Sequence, residues 1–222
     1  MTEKLPQGYC AHRPKTSEAL ISRKTLEPTM SSDTVGNTYY LLGALEDGYI
    51  GCRKDKGEYL VEFYQKNREW LWSQVVTRLR ENGFNPRIKQ YKQNYWRVTV
   101  YSKNLFEELD HARKTLYKLL ANTSLEDSKT LNYLRGAFDC EGSVHKTLFR
   151  ITLWNKDIVK LELIKKLLET GGIKCGAVAY SRSVGGLPIY GKRNLQLFNS
   201  LIGFRHPLKK ASLERKGVLA QP

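Results

Sequence analysis

Residues 134–142 read LRGAFDCEG, and residues 41–49 read LLGALEDGY. Each is a short apolar segment with Gly-Ala near its middle, followed by acidic residues and a glycine. Each reads as a short apolar helix. Glycine inside a helix costs about 1 kcal/mol relative to alanine. Two such helices offset that cost if Gly43-Ala44 and Gly136-Ala137 let their backbones touch, as small residues do between close-packed helices. Side by side, the helices would bring their C-terminal acids together. From Gly43 to Gly136 is 93 residues, and from Gln65-Lys66 to Asn155-Lys156 is 90, so the chain is expected to contain one unit twice.

Outward from the first motif the order is helix, two strands, helix, two strands, helix. YIGCRKDKGEYLVEFYQ (49–65) reads as a hairpin turning at Lys54–Gly57, with Val61 and Phe63 facing inward. A helix comes after Asn67, carrying Leu71, Val75 and Leu79 on one stripe and closing at Gly83. In PRIKQYKQNYWRVTVYS (86–102), Trp96, Val98 and Val100 alternate with Arg97, Thr99 and Tyr101. A third helix runs from about Asn104 to Leu120. The polar stretch ANTSLEDSKT (121–130) breaks the pattern, and Asp127 or Ser128 can cap the next helix. The order then recurs through SVHK, LFRITLWN, DIVKLELIKKLLETGG, a hairpin near 174–190 and two closing helices. The expected fold is α+β, two αββαββα repeats related by a pseudo-twofold. The organisation is an extension over 1–35, a first repeat over 36–121, a linker over 122–129 and a second repeat over 130–222.

Lys and Arg number 37 against 22 Asp and Glu, a net charge of +15. That surplus points to a polyanionic partner, with nucleic acid and an anionic membrane surface both compatible. No segment approaches the length of apolar chain needed to span a membrane, and residues 1–15 lack a signal-peptide core. An intracellular protein is expected. Cys10, Cys52, Cys140 and Cys175 form no C-x-x-C pair, which argues against a zinc site and for reduced thiols.

Two carboxylates meeting at helix C-termini repel each other and oppose the helix dipoles. A divalent cation resolves the conflict, and hard oxygen ligands suit Mg²⁺ with a substrate phosphate. Acids exposed before a turn glycine are the plain alternative. Away from the helices, one sheet face would carry Arg87, Lys89, Tyr91, Arg97, Thr99 and Tyr101 in the first half. In the second it would carry Arg150, Thr152, Tyr180 and Arg182. Such side chains on β-ribbons read base edges and hold phosphates.

These residues resemble the LAGLIDADG homing endonucleases. LRGAFDCEG fits the nine-residue signature position by position, with Glu141 at the metal-binding acid. In LLGALEDG the acid comes one residue early, which selects Asp47 with Glu46 as the fallback. The likeness extends over about residues 36–215 and is greatest to single-chain archaeal enzymes encoded by introns in ribosomal RNA genes. It implies a saddle of antiparallel sheets over a long DNA site and a monomer with internal pseudo-twofold symmetry. It implies metal-dependent double-strand cleavage across the minor groove with staggered ends. Asp47 and Glu141 are then the metal ligands, with Mg²⁺ bound and Mn²⁺ as a substitute. Lys66 and Lys156 stand beside the scissile phosphates, with Gln65 and Asn155 placed to orient water. An intron RNA maturase, or a DNA-binding protein that no longer cuts, would use the same scaffold. A prokaryotic cytoplasm is the expected location. His12, His111, His145 and His206 are isolated and carry no expected chemistry.

Overall fold

The computed structural model describes residues 32–181 and 183–218. Helix α1 (Ser32–Ala44) leads into β1 (Tyr49–Arg53) and, after a short 3₁₀ turn, β2 (Glu58–Gln65). A helical stretch comes next as α2 (Arg68–Trp70), a π-helical turn (Leu71–Val76) and α3 (Thr77–Glu81). Then come β3 (Arg87–Lys92), β4 (Tyr95–Tyr101) and α4 (Lys103–Asn122). The second repeat comprises α5 (Ser128–Glu141), β5 (Gly142–Val144), β6 (Arg150–Asn155), α6 (Ile158–Thr170), β7 (Ala179–Ser181), β8 (Val184–Tyr190), α7 (Lys192–Leu201) and α8 (Pro207–Glu214).

The two sheets are four-stranded and antiparallel, ordered β1-β2-β4-β3 and β5-β6-β8-β7, so the duplication holds strand by strand. Local chemistry sets the boundaries. The Asn67 side chain accepts from the Trp70 amide at 2.7 Å, Ser102 from Leu105 at 3.2 Å, and Asp127 from Thr130 at 2.8 Å. Gly83 takes a φ of +79° past the end of α3, which lets the Phe84 amide reach the Leu79 carbonyl at 2.9 Å. Leu71, Val75 and Leu79 are fully buried, as their stripe predicts.

Four boundaries differ from expectation. Ser32–Val35 belong to α1 and not to an extension, and residues 1–31 lie outside the described residues. The linker shrinks to 123–127, because α4 runs on to Asn122 and Asp127 caps α5. The LFRITLWN strand starts only at Arg150, and β7 is three residues long.

The fold is centred on α1 and α5. Tyr40, Leu41, Leu42, Ala44, Tyr133, Leu134, Ala137 and Phe138 are all buried, so both helices are enclosed on several sides. A Cβ added at Gly43 would lie 2.2 Å from the Tyr133 carbonyl and 2.5 Å from the Ala137 amide. One added at Gly136 would lie 2.2 Å from the Tyr40 carbonyl. The helices touch backbone to backbone at these glycines. No side chain fits between them.

Candidate active site

Where the two helices end, the sequence motifs differ by one residue, and the structure absorbs the difference. α5 remains helical through Glu141. α1 stops at Ala44 and passes into a turn, closed by the Gly48 amide on the Leu45 carbonyl at 2.7 Å. A residue outside a helix advances the chain by up to about 3.3 Å, against about 1.5 Å inside one. Leaving the helix early therefore recovers the rise of the missing residue. Asp47, Cys140 and Glu141 each offer a ligand atom, and these atoms lie within 4.8 Å of one another. The carboxyl of Glu141 is held above its ordinary range, first by burial and then by the Asp47 carboxylate beside it.

Cys140 was not expected here. Burial pushes its thiol well above the ordinary value, so it stays protonated, with Sγ 3.5 Å from Glu141 Oε1. The donor set facing solvent is thus two carboxylates, hard oxygens that fit Mg²⁺ or a similar ion better than zinc. The like charges of the pair are what such an ion would neutralise.

Glu46 is committed elsewhere. It accepts from Tyr133 Oη at 2.8 Å, Asn155 Nδ2 at 2.8 Å and Lys160 Nζ at 2.7 Å. Its ion pair with Lys160 is largely shielded, with 12% of each side chain exposed. The residue 93 positions later, Asp139, is fully buried and takes Tyr40 Oη at 2.6 Å. Tyr40 and Tyr133 are themselves 93 apart. Each helix therefore lends a tyrosine to the acid at the other helix's tip, a crossed pair of braces on the pseudo-twofold. Asp139 also accepts the amides of Arg205 and His206, each at 2.9 Å, and so holds the start of α8. In return Lys209 of α8 donates to the carbonyls of Phe138, Asp139 and Cys140 at 3.1, 2.5 and 3.1 Å, capping the end of α5 under Glu141.

Gln65 and Asn155 end the central strands β2 and β6. Tyr49 pairs with Glu62, and Gly142 with Leu153, so these ends lie toward the acid tips. Lys66 and Lys156 come next as exposed side chains, Lys66 Nζ lying 5.3 Å from the Tyr95 ring centroid. The Gln65 side chain accepts from the Lys66 amide at 2.8 Å. Asn155 is bound into the Glu46 network, so its amide is not free to orient water as expected.

On the first sheet, cross-strand pairing puts Arg87 with Thr99, Thr99 with Glu62, Lys89 with Arg97, Arg97 with Tyr64, and Tyr101 with Leu60, all on the face away from the helices. Tyr91 joins them, its ring 5.1 Å from that of Tyr64. On the second sheet Arg150 pairs with Tyr190 and Thr152 with Pro188, but Thr152 is buried and presents little surface. Tyr180 departs from expectation. It pairs with Gly185, where an added Cβ would strike Ile158 at 2.3 Å, so it falls in register with the helix-facing side. Arg182 lies outside the described residues. Among the described residues, no helix is long and apolar enough to cross a membrane.

Cys140, Lys160, Lys209 and the two braces escaped sequence reasoning. Only the tyrosines carried a signal, their spacing by the repeat length.

The LAGLIDADG-like domain family matches residues 128–203. The homing endonuclease I-ApeI of Aeropyrum pernix is 31% identical over 198 residues, covering 83% of this chain and 87% of that protein. I-DmoI, solved in complex with DNA and Ca, superposes with a TM-score of 0.66 at 20% identity, covering 82% of this chain and 99% of that one. Full-length WhiA of Thermatoga maritima superposes at 0.59 with 16% identity, covering 86% and 64%. Identity that extends across most of both chains, on a fold built around a doubled Gly-Ala helix pair, places this protein: it belongs to the LAGLIDADG homing endonuclease family.

Proposed function

We propose that the protein is a site-specific DNA endonuclease that makes a staggered double-strand break at a long target, the activity of intron homing. The observation that carries this reading is the meeting of Asp47 and Glu141 at the tips of the abutting helices. It is supported by the outer face of the first sheet, which carries Arg87, Lys89 and Arg97, and by the kinship with I-ApeI, a homing endonuclease. I-DmoI structures contain target DNA in the presence of Mg or Mn, and DNA with Ca, which supports use of a divalent ion. We assign Mg²⁺, with Mn²⁺ as a substitute.

Asp47 and Glu141 hold the ion, and Cys140 serves only as packing beside them. A bound divalent ion supplies charge neutralisation at the phosphate and acidifies water. Glu141 must lose the proton that burial and Asp47 favour, so loading the site releases a proton. Lys66 and Lys156 offset charge that develops on the phosphate, and Gln65 orients water. Asn155 acts one step back, holding Glu46 and the turn that carries Asp47. The chain acts as a single-chain enzyme, one acid from each repeat, in an archaeal cytoplasm.

Replacing Glu141 with Gln tests the assignment. The variant is expected to bind duplex target as the parent does and to cut neither strand. Full cleavage by E141Q would overturn it.

A further inference from the structure

The outer face of the first sheet holds an acid where a DNA-facing surface should repel one. Glu62 sits mid-strand in β2 and is only 8% exposed. Three neighbours surround it: Tyr64 Oη donates at 2.5 Å, Arg97 Nη1 lies at 3.1 Å, and Thr99 Oγ1 donates at 3.4 Å. The Arg97 guanidinium lies 5.2 Å from the Tyr91 ring centroid, and Tyr91 packs edge-on against Tyr64 at 5.1 Å. Acid and rings together fix the guanidinium plane. One third of the Arg97 side chain stays exposed, at 33%. It opens on a cleft of about 430 Å³ lined in part by Tyr49, Arg53 and Tyr101.

We infer that Glu62, Tyr64 and Tyr91 hold Arg97 as a pre-oriented reader of one guanine in the target. This rests on the endonuclease reading and names a base that its sheet face recognises. Guanine presents two acceptors, O6 and N7, on its major-groove edge, and an arginine fork meets both. Adenine presents a donor beside N7. An arginine free to rotate can turn away from that donor, whereas one clamped by Glu62 cannot, so clamping turns contact into discrimination. Glu62 is too enclosed to meet a base edge itself. Its role is positioning.

Among the described residues, the second sheet lacks this assembly. At the 90-residue offset that relates Gln65 to Asn155, Thr152 stands where Glu62 does, beside Pro188 on the neighbouring strand. The guanine is therefore read by one half of the protein, on one side of the cut.

Selection of bound duplexes from a randomised library in Ca²⁺, with sequencing of the bound pool, tests this without needing cleavage. The parent is expected to enrich G at one position in one half-site. Arg97→Met, which keeps the length of the stem and removes every donor, should reduce G over A there by about ten- to hundredfold and leave the relative preferences at other positions unchanged. Glu62→Gln should weaken the same position. An unchanged profile in Arg97→Met would overturn the inference. So would a Glu62→Gln profile that alters a cytosine preference and leaves the guanine intact, because Glu62 would then be the reader. A parent that selects no sequence at all would sink the endonuclease reading itself, a different result from either.

Discussion

Gly136→Ala is the smallest change that tests the helix junction. The added Cβ would lie 2.2 Å from the Tyr40 carbonyl and 2.9 Å from the Ala44 amide, both backbone atoms. Side-chain rotation cannot relieve a clash with backbone, so the helices must part by roughly 1 Å to restore ordinary contact. Overpacking of this kind costs about 3 kcal/mol at the upper end of its range. Replacing a mid-helix glycine with alanine returns about 1 kcal/mol. The net loss of about 2 kcal/mol corresponds to a fall in Tm of about 4–8 °C for a chain of this size. The chemistry should suffer more, because parting the stems parts Asp47 from Glu141. A misplacement of about 1 Å can cost about a hundredfold in rate. Thermal melting of the metal-free protein and single-turnover cleavage of a bound target read the two effects separately. A variant that melts no lower than the parent and cuts as fast would refute backbone contact at this glycine.

The adjacent acids should separate by assay. Asp47→Asn should abolish cleavage and leave the melting temperature near the parent's. Glu46→Gln should leave Lys160 facing a neutral amide and lower stability by about 3 kcal/mol in a melt, with cleavage still detectable below the transition. Lys209→Met removes the donor shared by three carbonyls at the end of α5, so both Tm and cleavage rate should fall while DNA affinity holds. Equal cleavage by this variant would remove Lys209 from the support of Glu141. His206 is buried against the Trp70 ring, and burial lowers its pKa from 6.5 to about 4. A base with a depressed folded pKa stabilises above its unfolded value, and that stability drains as pH falls from 6.5 toward 4. The contribution should be about 2 kcal/mol smaller near pH 5 than near pH 7. Comparing melts of the parent and His206→Phe across that interval measures it. Chelation should stop cutting without releasing DNA, and Mg²⁺ should restore it.

The sequence made legible the features that neighbours in the chain decide. Alternation in YWRVTVY gives the buried Val98 and Val100 of β4, and Asn67 and Asp127 cap their helices because a short polar side chain reaches the amide three residues on. The Gly-Ala motifs were legible because glycine in a helix needs a reason, and its reason is the partner backbone. Contacts made across the fold were not. Nothing near Lys209 announces that it will cap a helix ending some 70 residues earlier. Glu62 reads as one more exposed strand residue until Tyr64, Arg97 and Thr99 gather round it. Tyr180 was misplaced because β7 is three residues long, too short for alternation to fix its register.

The tip of α1 shows why duplicated halves need not remain equal. Offset by 93, Glu46 answers to Asp139 and Asp47 to Cys140, which leaves the first half with glycine where the second has Glu141. Both buried-side acids kept their tyrosine from the opposite helix, so the junction retains its symmetry. The symmetry breaks beyond it. Asp139 holds the start of α8, whereas Glu46 takes Lys160 and Asn155 from the other repeat. The unwound turn therefore carries Asp47 on a loop fixed at one end by α1 and tied through Glu46 to the second repeat. Glu141 rides on a rigid helix end capped by Lys209. A turn released from its helix yields more easily than a capped helix does. Any adjustment of the acid pair to ion and phosphate should thus be made mainly by Asp47, with Glu141 as the fixed point.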